Sequence, residues 1–188
     1  MLKDYTKIAD AILFSFEAHK NATRKGSNIP YVIHPLRVYA SLCEAGVSDV
    51  AVLLAALLHD TVEDAGVELS QIASRFGEDV AKMVDMLTDD KTLNRAERKQ
   101  AARERLRQAP ARVKLIKLAD RLDNILDMHK SDWNTAKKLE YINESELLIK
   151  SLTSNLDDDK FNSFIEIFLG LLEQNIKSVK TDLLDERE

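Results

Sequence analysis

The order of apolar and polar positions divides the chain into stretches of helical period. Apolar residues at Ile8, Ile12, Phe14, Phe16 and Ala18 predict a first helix that ends near His19. The polar run 21–30, which holds Gly26 and Pro30, predicts a loop. Pro35 suits the first position of a second helix and Gly46 suits its C-terminal cap. Ser48 is the expected N-cap of a third helix, with Asp49 favourable in its first turn. That third helix carries Val50, Leu53, Leu54, Leu57 and Leu58 on one broad face, and alanines fill its flanks. A helix this apolar belongs at the centre of a bundle.

The pattern continues with helices expected at 68–76 and 78–87, separated by Gly77. Residues 94–108 are charged and predict a solvated helix that stops before Pro110. Residues 112–128 carry Val113, Leu115, Ile116, Leu118, Leu122, Ile125 and Leu126, which predicts a second central helix. Helices at 134–152 and 158–184 close the chain. The last has an apolar stripe of Phe161, Phe164, Ile165, Phe168, Leu171 and Leu172, expected to pack on the domain or on a partner subunit. No stretch alternates with the period of a strand. The expectation is an all-α, single-domain helical bundle of about eight to ten helices over residues 1–188, with 151–188 as a C-terminal helical extension.

A length of 188 residues suits one domain, and 45% hydrophobic residues argue against disorder. Five glycines and three prolines leave few breaks for a fold of many short strands. A formal net charge of -5 gives no general attraction for nucleic acid, although local cationic clusters could hold phosphate. The single cysteine, Cys43, excludes an internal disulfide and a multi-cysteine metal site; a buried, unreactive thiol is expected. The opening MLKDYTKIAD lacks a signal-peptide pattern, and the longest apolar run, Val50–Leu58, is too short to span a bilayer. A soluble cytoplasmic protein without nucleic-acid or membrane partners is expected.

Polar residues interrupt both central helices where the pattern asks for apolar ones. His59 and Asp60 follow the most apolar stretch in AALLHDTVED, and Asp120 takes the corresponding place in KLIKLADRLDN. An ionised carboxylate in a core is costly unless it is paired or bound to metal. Two helices that each place one in the same core invite a cation between them, and His34 could add a ligand from the start of the second helix. Taken singly, Asp120 could instead pair with Arg121 or Lys117, and His34 could simply flank its helix. His19 and His129 lie near helix ends and receive no role.

The series RKGSNIPYVIHPLRV, LLAALLHDTVEDAG, MLTDDKTL and KLIKLADRLDNI resembles the hydrolase domain of the RelA/SpoT alarmone enzymes over about residues 4–150. It is most similar to the stand-alone small alarmone hydrolases, including the metazoan SpoT homologues. TVED after the His–Asp pair and TDDKTL downstream narrow the match beyond the general HD superfamily. The resemblance implies an HD-type bundle and one Mn²⁺ held by His34, His59, Asp60 and Asp120. Two imidazoles with two carboxylates suit Mn²⁺ better than Mg²⁺, and leave Zn²⁺ or Fe²⁺ open.

Glu63 lies four residues after His59, and Asp64 four after Asp60, so a continuing helix would put each pair on one face. Beside a metal, such a carboxylate can deprotonate water. The resemblance assigns both to catalysis without choosing the base. It further implies hydrolysis of the 3′-pyrophosphate of guanosine tetra- or pentaphosphate, giving GDP or GTP and pyrophosphate.

Arg24 and Lys25 match the family pair that contacts the guanine nucleotide, and Asn124 matches a ribose and phosphate contact. Arg95 falls where relatives carry a basic phosphate contact, Tyr141 aligns with a tyrosine flanking the nucleotide, and Lys137 replaces an arginine. Two departures stand out. Asp123 occupies a position where many relatives have His or Tyr, adding negative charge near the site, and RKGSN replaces the commoner RKSGE type, which leaves the contacts of Ser27 open. The chain has no room for the synthetase domain of the long enzymes, so degradation without synthesis is expected. Rival readings are an HD phosphohydrolase acting on NADPH or a (d)NTP, and a non-catalytic nucleotide sensor. A homo-oligomer is left open.

Overall fold

The computed structural model describes residues 2–25, 27–129, 131–156 and 160–185. Ten helices follow one another among them: α1 (Leu2–Ala18), α2 (Ile33–Glu44), α3 (Val50–Leu58), α4 (Thr61–Ala65), α5 (Leu69–Phe76), α6 (Glu78–Leu87), α7 (Arg95–Gln108), α8 (Ala111–His129), α9 (Thr135–Thr153) and α10 (Asn162–Asp185). No strand occurs among the described residues, and the fold is the all-helical bundle that the periodicity predicts. The expected start of the last helix at Asp158 lies outside the described residues, as does Gly26 in the first loop.

α3 is the hub. Every residue from Val52 to Leu58 is buried, and α1, α2, α6 and α8 pack around it. α8 is the second central helix, with Val113, Leu115, Ile116, Leu118 and Ile125 wholly buried. α10 lies along α8 and buries Ile165, Phe168 and Leu172, with Phe161 buried just before it, whereas Leu171 faces solvent. Phe16 and Leu126, both placed on inner faces by the periodicity, are also exposed. Burying side chains of this kind contributes roughly 1.5–3 kcal/mol each, so the α3–α8 core dominates stability.

Local chemistry explains the helix ends, with three corrections. Asp49, not Ser48, caps α3: its carboxylate accepts from the backbone N–H groups of Ala51 and Val52. Pro35 sits two residues inside α2, still in the first turn where its missing N–H leaves no acceptor unpaired. At the other end of α2, Gly46 has φ 94°, its N–H donates to Cys43 O, and that of Val47 donates to Leu42 O. This closes a Schellman turn that a Cβ would strain. Cys43 is exposed rather than buried, because it falls on the outer face of α2. No helix among the described residues is long and apolar enough to cross a membrane.

The loop before α2 is pinned. Thr23 bridges to Pro30, Arg24 N–H donates to Ile29 O at 2.8 Å, and Tyr31 N–H donates to Ala22 O at 2.9 Å. Arg24 and Tyr31 are thereby held against the end of α3.

Candidate active site

The helical run through α3 does not continue into α4 unbroken. It stops at Leu58, turns through His59 and Asp60, and restarts at Thr61. The break is chemically satisfied: His59 Nδ1–H donates to Ala56 O at 2.8 Å, and the buried Thr61 hydroxyl donates to Leu58 O at 2.7 Å. The continuing helix expected through Glu63 is therefore replaced by two segments. Only the Asp60–Asp64 turn keeps its helical bond, at 2.8 Å.

Two consecutive side chains at this break, His59 and Asp60, meet residues from α2 and α8. His34 Nε2 and His59 Nε2 stand 3.2 Å apart. Asp120 Oδ1 is 3.1 Å from His34 Nε2 and 3.9 Å from His59 Nε2. Asp60 Oδ2 is 3.2 Å from His59 Nε2 and 3.5 Å from His34 Nε2. His34, His59 and Asp120 are buried and could together hold a metal ion.

The donors fit such an ion. His34 Nδ1–H faces Asp123 Oδ2 at 2.7 Å and His59 Nδ1–H faces a carbonyl, so both Nε2 atoms turn to the centre, where each can take a proton or a metal ion. Two bare lone pairs at 3.2 Å repel unless positive charge lies between them. Ligands bound at about 2.0–2.2 Å, the range for first-row N and O donors, lie about 3–3.5 Å from their neighbours, close to the separations found.

Electrostatics agree. Burial opposes a charge on His34, but hydrogen bonds with Asp120 and Asp123 outweigh it and lift its pKa to about 9. Burial likewise opposes charge on His59, and Asp60 more than offsets it. Burial would raise both carboxylates, yet Asp60 is held well down by His59, and Asp120 well down by Lys117 and the two histidines. Each group in the cradle thus favours positive charge at its centre.

A second layer holds these side chains in place. Lys117 Nζ lies 2.7 Å from Asp120 Oδ2, and Asn124 Nδ2–H donates to Asp120 Oδ1. Asn124 Oδ1 accepts from Arg24 Nη2 at 2.7 Å, and Arg24 also bonds Asp127 at 2.9 Å. The Arg24 guanidinium sits over the Tyr31 ring at 5.4 Å. Burial and the flanking carboxylates raise the Tyr31 phenol, which keeps its proton and shares it between Asp60 Oδ2 (2.8 Å) and Asp64 Oδ2 (2.9 Å).

The two acidic residues of α4 differ. Asp64 has both oxygens engaged, one by Tyr31 and the other by Lys91 Nζ at 2.8 Å. Glu63 Oε2 accepts from Asp89 N–H at 2.9 Å, and among the described residues Oε1 has no hydrogen-bond partner. Burial is the main force that raises its pKa.

Glu63 and Asp64 border a cavity of about 730 Å³ between α4, α7, α8 and α9. Of its lining cations, Lys91, Arg95, Lys99, Arg103 and Lys117 each have a carboxylate within ion-pair distance. Lys25, Arg98, Arg121 and Lys137 have none among the described residues. A second cavity of about 400 Å³ adjoins it, lined by Arg24, Ile29, Tyr31, Asn124, Met128 and others. Lys25, Trp133 and Tyr141 line both.

The predicted residues therefore fall into three groups. The four metal-ligand candidates converge, and Glu63 and Asp64 lie beside them. Arg24 and Asn124 connect the smaller cavity to Asp120. Lys25, Arg95, Lys137 and Tyr141 line the larger cavity, where Arg95 is 67% exposed and paired with Glu140 at 2.8 Å, and Lys137 Nζ rests on the Trp133 ring at 4.1 Å.

Sequence reasoning missed Tyr31, Lys91 and the true place of Asp123, and it left Lys117 and Arg121 as alternative partners of Asp120, of which the structure pairs Lys117. Asp123 was read as extra negative charge, whereas it is 7% exposed and turned onto the back of His34. Tyr31 stands inside the motif that contains His34, and Lys117 lies one turn before Asp120, so helical spacing favours it over the adjacent Arg121 as the partner of Asp120.

Known proteins bear on this site. A family model described as an HD domain matches residues 11–146. The chain is 40% identical over 157 residues to the guanosine-3′,5′-bis(diphosphate) 3′-pyrophosphohydrolase MESH1 of Xenopus tropicalis, covering 81% of this chain and 88% of that one. It is 36% identical to the protein of the same name from Homo sapiens, with the same coverage. A solved structure described as a metazoan orthologue of SpoT that hydrolyses ppGpp superposes with a TM-score of 0.78 at 30% identity, covering 94% of each chain.

Proposed function

Because this chain belongs to the HD-domain family, we propose that it removes the 3′-pyrophosphate from guanosine tetra- or pentaphosphate, yielding GDP or GTP and pyrophosphate. The observation that carries this reading is the cradle itself: two inward-facing imidazole nitrogens 3.2 Å apart, flanked by two carboxylates, opening onto a cavity with unpaired cations. The relatives named above are pyrophosphohydrolases of this substrate, and the chain covers most of their length.

We assign His34, His59, Asp60 and Asp120 as ligands of one divalent ion, with Mn²⁺ the ion that the family resemblance implies and this donor set accommodates. When bound, the ion supplies positive charge that polarises a phosphoryl oxygen and acidifies water. Glu63 takes the proton of the attacking water through its unpartnered oxygen, since burial raises its pKa and makes it a stronger base than a solvated carboxylate. Asp64, with both oxygens engaged, orients rather than abstracts. Arg24, Lys25 and Asn124 hold the nucleoside end. Lys137 and Tyr141, with Arg95 at the rim, line the path of its phosphates. The chain acts as one domain in the cytoplasm.

Turnover of guanosine tetraphosphate by the Mn²⁺-loaded protein, with GDP and pyrophosphate as products, is the expected result. Folded, metal-loaded protein that leaves the tetraphosphate intact but dephosphorylates NADPH or dGTP would replace the substrate and keep the enzyme. Binding of the tetraphosphate without hydrolysis under any divalent metal would leave only a sensor.

A further inference from the structure

We propose that Arg121 reads the phosphates at the end of the substrate opposite the bond that is cut, making it a specificity residue for the 5′-diphosphate. The proposal rests on the alarmone reading for the identity of the ligand.

The argument begins on α8. Asp120 and Arg121 are consecutive, so their side chains leave the helix about 100° apart. Asp120 faces the cradle, and Arg121 faces α9. The cation that neutralises Asp120 is Lys117, at 2.7 Å, which leaves Arg121 without a carboxylate among the described residues. Instead its guanidinium lies over the Tyr141 ring, 4.8 Å from the centroid. Nη1–H reaches the Ser145 hydroxyl only at 3.4 Å, and that hydroxyl donates to Tyr141 O. Nε–H is buried and has no partner.

A guanidinium presents five N–H donors in a rigid plane. Here that plane is held by an aromatic face and a serine while most of its donors go unused, and it forms part of the wall of the larger cavity. An arginine stacked but not neutralised is pre-arranged for an anion with planar or forked acceptors, as a phosphate offers. Arg121 hydrogen-bonds none of His34, His59, Asp60 or Asp120, so the phosphate it meets is not the one held at the cradle. On a guanosine that carries a diphosphate at each end of the ribose, that leaves the outer 3′-phosphate and the 5′-diphosphate, and the direction of Arg121, toward α9 while Asp120 faces the cradle, assigns it the 5′-diphosphate.

The test compares two substrates cut at the same bond: guanosine tetraphosphate, and guanosine 3′-diphosphate with a free 5′-hydroxyl. Arg121→Gln should raise KM for the tetraphosphate about tenfold, the scale of one lost charge-assisted hydrogen bond, while kcat changes little. KM for the 5′-hydroxyl substrate should stay as in the unaltered chain. An equal rise on both substrates would show that Arg121 props Tyr141 or meets the outer 3′-phosphate, which both carry, and would overturn the proposal, as would no rise on either. Arg121→Lys, which keeps the charge but not the fork, should fall between the two on the tetraphosphate alone; a lysine variant equal to the unaltered chain on both overturns the assignment even if the glutamine variant does not fold.

Trp133, the single tryptophan of the chain, lines the same cavity and gives a readout independent of turnover. Quenching by GDP should weaken about tenfold in Arg121→Gln while quenching by guanosine does not, and matching losses would count against the proposal. This measurement decides on Arg121 even if the unaltered protein hydrolyses neither nucleotide, an outcome that sinks only the alarmone reading.

Discussion

In the proposed metal cradle each candidate ligand is held from behind: Asp123 holds His34, the Ala56 carbonyl holds His59, Lys117 and Asn124 hold Asp120, and Tyr31 holds Asp60. In the adjoining cavity, Lys25, Arg98, Arg121 and Lys137 have no carboxylate within ion-pair distance among the described residues. One region is over-determined and the other is left short of negative charge. The contrast separates two tasks. An ion needs donors already in place, because reorganising them at each turnover would raise the barrier. A large polyanion needs unspent charge that can adapt as it enters and leaves.

That contrast can be broken by substitution, beginning where the effect is greatest. Asp120→Ala removes a ligand whose two oxygens anchor Lys117 and Asn124, so metal-dependent turnover should fall by about 10³-fold or more, with metal content falling in parallel. Wild-type activity in that variant would dissolve the cradle as described. Glu63→Gln should keep its metal, measured by elemental analysis, yet lose about 10²-fold in turnover, because only the proton acceptor has gone. Unchanged turnover would return the base role to Asp64.

Asp123→Ala sharpens the comparison, because it alters support without touching a ligand atom. Metal affinity should drop about 10- to 100-fold, with turnover recovered at high Mn²⁺. A variant that binds metal normally would mean the His34–Asp123 bond is incidental. The smallest effect is expected in the cavity: Arg98→Gln should raise KM for the tetraphosphate by up to about tenfold and leave metal affinity alone. A shift in metal affinity there would show that the two regions are not separate.

Much of this was legible in the sequence, for reasons that differ by residue. His59 and Asp60 announce themselves because they end a run of nine apolar residues, and Asp120 because it interrupts a second buried face. The helices follow from periodicity, since α3 and α8 must hide nearly everything they carry. What stayed hidden depends on partners distant in the chain. Asp123 looks like a stray charge until α2 brings His34 to 2.7 Å from it. Arg95 looks free until α9 supplies Glu140. Cys43 was misjudged on residue type, whereas its place on α2 turns it outward. Asp49 displaced Ser48 as cap because both are competent N-caps and only the backbone angle chooses, with Asp49 at ψ 109°.

The pause between α3 and α4 has a consequence for anyone who would transplant this chemistry. On an uninterrupted helix, neighbouring residues diverge by about 100°, and a His–Asp dipeptide grafted there would point its members at different surroundings. The portable unit is longer than two letters: it includes the threonine that ties off a loose carbonyl and the turn that lets successive side chains share a target.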